Sequence, residues 1–281
     1  MENLGYYNGR FGLLDEMTVP FNDRVHFFGD GVYDATYTRN HKIYALDEHI
    51  DRFFNSAALL DIHIPNTKKE IADILCELVK KADSPDQFVY WQATRGTQIR
   101  NHTYPEDMKA NIWVVLKPVK VKNVYEKVDA ITAPDTRFLH CNIKTLNLLP
   151  AVMNAQKAER MGVYETILYR EGGRVTECSH SNGHIINSDG ILQTAPTDHL
   201  RLPGIARAHR IKACKALGYG VDEYPFTLDE MMNAKEIIIT SSGAFCMACK
   251  TVNNTEVGGK APEMLKNIQD WLVNDFNTAT D

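Results

Sequence analysis

The stretch FLHCNIKTLNLLPA, Phe138 to Ala151, sets one lysine, Lys144, between a run that reads as strand and a run that reads as helix. Its neighbours include Ile143, Leu146, Leu148 and Leu149. Desolvation by aliphatic side chains disfavours an ammonium and makes the neutral amine more available as a nucleophile. Two readings follow. Lys144 is an amine that forms a Schiff base with a carbonyl, or a loop lysine whose stem lies on apolar surface while its head reaches water. Position alone leaves both open.

Outward from Lys144, the pattern is one of mixed strands and helices without repeats. Tyr6-Tyr7-Asn8-Gly9-Arg10-Phe11 predicts a hairpin, because Asn-Gly supplies the positive φ angles of a type I′ turn. GVYDATYT and KIYAL flank Arg39-Asn40-His41 as a second hairpin. Ile50, Phe53, Phe54, Ala57 and Leu60 share one helical face behind an N-cap at Asp47, and Ile71, Leu75, Leu78 and Val79 share another behind the capping box Thr67-x-x-Glu70. The runs QFVYWQATRG and NIWVVLK read as strands. KPVKVKN, Lys117 to Asn123, breaks the pattern with a proline and charge, which predicts an N-terminal α/β domain over 1–118, a linker over 119–123 and a larger domain over 124–281. In the second half, KVDAITA reads as strand, a helix runs from Leu148 to Met161 and ends at Gly162, and a hairpin turns at Glu171-Gly172-Gly173-Arg174. A helix near Gly204 to Leu217, the strand EIIIT and a helix after Pro262 complete it.

With 281 residues, 44% of them hydrophobic, the chain can bury a sizeable core, and two domains are expected from its length. A net charge of -5 gives no electrostatic reason to expect nucleic acid. No apolar run approaches the roughly 20 residues that span a bilayer, and MENLGYYNGRFGLLDE lacks the pattern of a secretory signal, so a cytoplasmic protein is expected. Six cysteines scattered through a long chain fit reduced thiols. Cys246 and Cys249 form a lone C-x-x-C without a second pair or nearby histidines, and they read as small buried hydrophobes rather than a metal site.

Nucleotide-loop, zinc-protease and serine-hydrolase signatures are absent; FGDGVYD has two glycines without the third of a dinucleotide fingerprint. Glu177 changes the reading of Lys144. It ends a strand-like run before the loop Ser179-His180-Ser181-Asn182. Alone it reads as a solvated strand end. Together, an amine and a carboxylate are what pyridoxal phosphate chemistry requires: one holds the aldehyde, the other keeps the pyridine nitrogen protonated. The 33-residue separation fits one helix and a hairpin returning to the same place.

FFGDGVYD, DEHIDRFFNSA, QATRGTQIRNH, RFLHCNIKTLNLL, VTECSHSN and ITSSG, in this order from about Gly5 to Gly243, resemble the fold-type IV pyridoxal phosphate enzymes, and most closely their D-amino acid aminotransferases. The resemblance implies an α/β (α+β) fold of two domains, the smaller N-terminal and the larger with a mixed sheet, the cofactor at their interface, and a homodimer. It makes Lys144 the Schiff-base lysine and Glu177 the partner of the pyridine nitrogen. Arg52 becomes the phosphate arginine, its guanidinium fork matching the spread of phosphate oxygens. The backbone N–H groups of Ile205 and Ala206 in RLPGIAR become a helix-N-terminal phosphate site, with Ser242 adding a hydroxyl and Ser181 a further cofactor contact. Ala206 stands where a threonine is usual in the family, which removes one hydroxyl contact. Tyr33, Arg100 and His102 correspond to the group that grips the substrate carboxylate. AFCMACK and the NGHII after Ser181 depart from the apolar runs usual there.

The implied activity is a ping-pong transamination that converts D-alanine and 2-oxoglutarate to pyruvate and D-glutamate. An aminodeoxychorismate lyase-like enzyme, a branched-chain L-amino acid or (R)-amine aminotransferase, and a degenerate cofactor binder remain as alternatives.

Overall fold

Asn8 and Gly9 turn the first hairpin with φ of 44° and 93°, joining β1 (Leu4–Tyr7) to β2 (Arg10–Leu13) in the computed structural model, which describes residues 3–281. The chain forms two compact units. The first comprises 1–121, Ile143–Asn147 and Phe276–Asp281; the second comprises 122–142 and 148–275. One boundary lies between 121 and 122, and neither unit is one continuous run.

In the first unit, β1 and β2 are followed by α1 (Val25–Phe28), β3 (Gly31–Arg39), β4 (Lys42–Ile43), α2 (Leu46–Ala58), α3 (Lys68–Lys81), β5 (Gln87–Thr94) and β6 (Asn111–Pro118). The six strands make one antiparallel sheet in the order β2-β1-β6-β5-β3-β4. The second hairpin turns on Asn40 and His41, both with positive φ. The apolar faces of α2 and α3 pack on the sheet: Phe53, Leu75 and Trp91 have no exposed surface, and each such side chain contributes about 1.5–3 kcal/mol by burial. Thr67 and Glu70 form the expected capping box. Asp47 is not a cap: Ala45 holds the N-cap position of α2 with φ 51°, and Asp47 lies in the first turn, where its charge complements the helix dipole.

The second unit carries β7 (Lys127–Pro134), α4 (Leu149–Arg160), β8 (Glu165–Tyr169), β9 (Val175–Cys178), β10 (Asn182–Ile186), β11 (Leu192–Gln193), α5 (Ile205–Ala216), β12 (Val221–Asp222), α6 (Leu228–Asn233), β13 (Glu236–Thr240), β14 (Met247–Val252), β15 (Thr255–Glu256) and most of α7 (Pro262–Thr280). Eight strands run β12-β11-β10-β13-β14-β7-β8-β9, with β15 beside β14. The sheet is mixed, parallel at β14–β7, β7–β8 and β11–β12. Both faces are covered. Ile237 and Ile239 join one core while Ile238 joins the other, as the period-two alternation of a strand requires. Cys246 and Cys249 fall in these two different cores, so they are separate buried hydrophobes and not one ligand pair. Of the departing segments, AFCMACK, which runs into β14, is buried as far as Cys249, and NGHII is a buried strand. His184 is accommodated there with Nε2 3.0 Å from Thr240 Oγ1, and burial, with Arg210, Arg201 and Arg207 nearby, pushes it far toward the neutral form.

The two short returns to the first unit have local causes. Arg39 pairs with Asp281, and Tyr44 meets Phe276 edge-on with centroids 5.0 Å apart. Thr145 bridges Val32, Tyr33 N–H donates to Lys144 O at 2.9 Å, and Leu146 N–H donates to Gly31 O at 3.0 Å, so Ile143–Asn147 adds to β3 opposite β5. Gly31 permits that approach: a Cβ there would lie 2.6 Å from both Leu146 Cδ1 and Ala93 O.

Candidate active site

Lys144 is half-buried, and its setting differs from the one its sequence neighbours suggest. Ile143 is buried, but Leu148 and Leu149 are exposed, because α4 begins at Leu149 and turns them outward. The lysine is placed by β3 instead. Lys144 Nζ lies 4.2 Å from the centroid of the Tyr33 ring, a cation–π arrangement that fixes the direction of the amine. Tyr33 stacks on Tyr90 at 5.4 Å, and Tyr90 donates its hydroxyl to Gln92 at 2.7 Å. Ser56 Oγ accepts from Lys144 N–H at 3.2 Å.

Between β3 and α2, three buried polar side chains form one unit. Asp34, next to Tyr33, accepts from Arg52 Nε at 2.8 Å and Nη2 at 2.6 Å, and from His49 Nδ1 at 2.7 Å. Burial pushes the Asp34 carboxyl up, but Arg52 and His49 outweigh it and hold it well below the usual carboxylate range. Burial lowers His49, with Arg52 and Lys144 adding repulsion against the attraction of Asp34. The neutral imidazole therefore donates from Nδ1. The Arg52 fork expected to spread over phosphate oxygens is engaged, through Nε and Nη2, with Asp34. Asp34 and His49 were missed in the sequence, although both lie inside quoted motifs. The sequence sign for Asp34 is a charged residue on a strand between Tyr33 and Ala35; His49, beside Glu48, carries no such sign.

Arg100 and His102 are exposed on the loop after β5. The Arg100 guanidinium lies 5.2 Å from the Phe28 ring centroid, and the His102 ring lies 5.2 Å from the same ring.

In the second unit, Glu177 is the penultimate residue of β9 and is 7% exposed. Oε1 accepts from Asn182 Nδ2 at 2.6 Å and from Leu202 N–H at 3.3 Å, while Oε2 accepts from Arg137 Nη1. Arg137, the first residue of RFLHCNIKTLNLL, links two carboxylates. Its Nε and Nη2 donate to Asp135 at 3.0 Å each. Burial pushes Asp135 up, and Arg137 and Thr176 overcome this to hold it down at about 2. Asn182 can reach Glu177 because the adjacent backbone is glycine: a Cβ on Gly204 would sit 2.1 Å from Asn182 Oδ1.

Gly204 is also the N-cap of α5, so Ile205 and Ala206 carry N–H groups of its first turn, which have no acceptor within the helix. Ser242 is half-buried in the bend between β13 and β14. Ser181 donates its hydroxyl to Glu165 Oε2 at 2.7 Å. Burial pushes Glu165 up, and His180, Ser179 and Ser181 hold it down in balance. Lys144, Tyr33, Arg52, Arg100 and His102 thus belong to the first unit, and Glu177, Ser181, Ile205, Ala206 and Ser242 to the second. The first unit offers a directed amine, and the second offers a carboxylate held by a cation, N–H groups at a helix N-terminus and serine hydroxyls; each is a group of a kind that can contact a phosphorylated pyridine aldehyde. Among the described residues no group of His, Cys, Asp and Glu could hold a metal ion.

Residues 31–252 match the family model for amino-transferase class IV, so the match continues beyond Gly243 to Val252. The chain is 36% identical over 277 residues to D-alanine aminotransferase of Bacillus licheniformis, covering 98% of this chain and 97% of that one. It is 32% identical over 273 residues to D-alanine aminotransferase of Staphylococcus haemolyticus, covering 94% and 95%. Branched-chain amino acid aminotransferase from Escherichia coli has the same fold, with a TM-score of 0.90 at 20% identity over 100% of this chain and 96% of that one.

Proposed function

The chain belongs to the class IV aminotransferases, enzymes that use pyridoxal phosphate, and from that membership we propose reversible transfer of an amino group from D-alanine to 2-oxoglutarate, giving pyruvate and D-glutamate. The observation that carries this reading is the Lys144 amine held over Tyr33 by pairing of its own backbone with β3. When bound, pyridoxal phosphate supplies an aldehyde for the amine and a ring that accepts electrons. Lys144 Nζ would hold that aldehyde, and the same amine would serve as general base for the proton on the substrate Cα. Glu177, oriented by Arg137 and Asn182, holds the proton on the ring nitrogen. Arg52, Ser181, Ser242 and the N–H groups of Ile205 and Ala206 are proposed cofactor contacts. Arg100, with His102 and Tyr33, binds the substrate carboxylate, which sets the face of Cα that presents its proton.

A homodimer is part of the proposal. It is supported by the exposed apolar run Leu149, Val152 and Met153 on α4, and light scattering of the purified protein tests it. Among the described residues no helix is long and apolar enough to cross a membrane, and we place the enzyme in the cytoplasm.

The deciding experiment incubates the protein with D- or L-alanine and 2-oxoglutarate, following pyruvate and the handedness of the glutamate. D-glutamate formed from D-alanine alone supports the reading. Turnover of L-alanine to L-glutamate rejects it, and pyruvate released without an amino acceptor points to a lyase.

A further inference from the structure

The loop that carries Arg100 and His102 is held by one buried arginine that takes no part in the proposed chemistry. Arg24 is 3% exposed. Its Nη1 donates to Asn101 O at 2.6 Å and Thr103 O at 3.4 Å, its Nη2 donates to His102 O at 3.2 Å, and its Nε donates to Asp30 at 2.8 Å. The same guanidinium lies 4.9 Å from the Phe28 ring centroid and 5.4 Å from that of Tyr104. Phe28 in turn contacts both Arg100 and His102.

Three consecutive carbonyls bound by one planar fork leave the loop little freedom to rotate. Their positions decide where the side chains of residues 100 and 102 emerge, and the Phe28 ring gives both a common platform. Asp30 also accepts from Arg95 Nε, and Arg95 donates to Leu60 O and Asp61 O, so the fork is anchored to the α2 end of the same unit.

From this geometry we infer that Arg24 and Phe28 are positioning residues for substrate-carboxylate recognition: they hold Arg100 and His102 in the arrangement that grips the carboxylate. The inference rests on the proposed role of Arg100. Lysine at position 24 keeps the charge opposite Asp30 but cannot span three carbonyls, because its ammonium is a point charge and not a planar fork. Leucine at position 28 keeps an apolar side chain but removes the ring face.

The test is a double-mutant cycle on the cofactor-loaded enzyme, made from Arg24→Lys, Phe28→Leu and Arg100→Ala. Arg24→Lys and Phe28→Leu should each raise KM for D-alanine about ten-fold, leave kcat within about two-fold and leave the pyridoxal phosphate dissociation constant unchanged. Adding either to Arg100→Ala should raise KM little beyond Arg100→Ala alone, because both act through Arg100. Additive effects, or a parallel loss of cofactor affinity, would show a general structural role and overturn the inference. If Arg24→Lys does not fold, the Phe28→Leu cycle decides by the same criteria. An Arg100→Ala variant with unaltered KM rejects the carboxylate reading itself and the inference with it. A raised KM in Arg100→Ala beside unaltered KM in the other two rejects the inference alone.

Discussion

Arg137 donates from Nη1 to Glu177 Oε2 while its other side-chain nitrogens face Asp135, so one guanidinium orients the carboxylate proposed to serve the pyridine nitrogen. Arg137→Met should destabilise the protein by about 3 kcal/mol, because it removes the cation shared by two carboxylates that are at most 9% exposed, leaving Asp135 with Arg170 and Thr176 and Glu177 with the neutral donors of Asn182 and Leu202. Glu177→Gln should cost far less stability and leave cofactor bound while slowing proton transfer. Denaturant unfolding and single-turnover kinetics read the two effects; full activity in Glu177→Gln would mean that another group protonates the ring.

Lys144→Ala should abolish the yellow absorbance of lysine-linked cofactor together with nearly all turnover. Borohydride reduction of the unaltered protein followed by peptide mapping should find the adduct at Lys144. An adduct at any other lysine defeats the assignment.

Gly31→Ala tests how Lys144 is placed. A methyl group there meets Ala93 O and Leu146 Cδ1, so the 143–147 segment must shift or β3 must bend. Overpacking of this kind costs about 1–3 kcal/mol. Lowered Tm with slower formation of the lysine-linked cofactor is expected, and a variant with unchanged values of both would remove the packing account.

Acid should unfold the protein through Asp34 and Asp135. Both carboxyls are depressed in the folded state, so the stability they confer is present above the unfolded value near 4 and is lost as pH falls through the folded values. Tm should fall steeply between about pH 5 and pH 2. Asp34→Asn should flatten this acid limb while lowering Tm at neutral pH, and an identical pH profile in that variant would exclude Asp34 as a source.

Arg100 and Arg52 should separate substrate binding from cofactor binding. Arg100→Ala loses a charge-assisted contact, which raises KM for D-alanine by about ten- to a hundred-fold with cofactor absorbance unchanged. Arg52→Ala should weaken pyridoxal phosphate instead. Since that change also strands buried Asp34, the measurement uses Arg52→Ala combined with Asp34→Asn beside Asp34→Asn alone. Equal cofactor affinity in these two proteins would remove Arg52 from the phosphate site.

The sequence by itself determined the elements whose causes are local. Asn8-Gly9, Thr67 with Glu70 and the apolar faces of α2 and α3 are written within a few residues of where they act, and the structure has them in place. The motifs around Gly31, Lys144 and Glu177 carried the family in the same way, since each motif is a contiguous run. Only the tertiary structure decided who holds these groups. Arg24 reaches carbonyls 77 to 79 residues away, Arg137 reaches a carboxylate 40 residues away, and Arg52 turns its fork to Asp34 across 18. No periodicity records such pairings, because a long guanidinium side chain is placed by the burial and geometry of its partners and not by its neighbours in the chain. For the same reason Leu148 and Leu149 were misleading about Lys144: adjacency suggested an aliphatic shield, while hydrogen bonding to β3 aimed the amine at Tyr33.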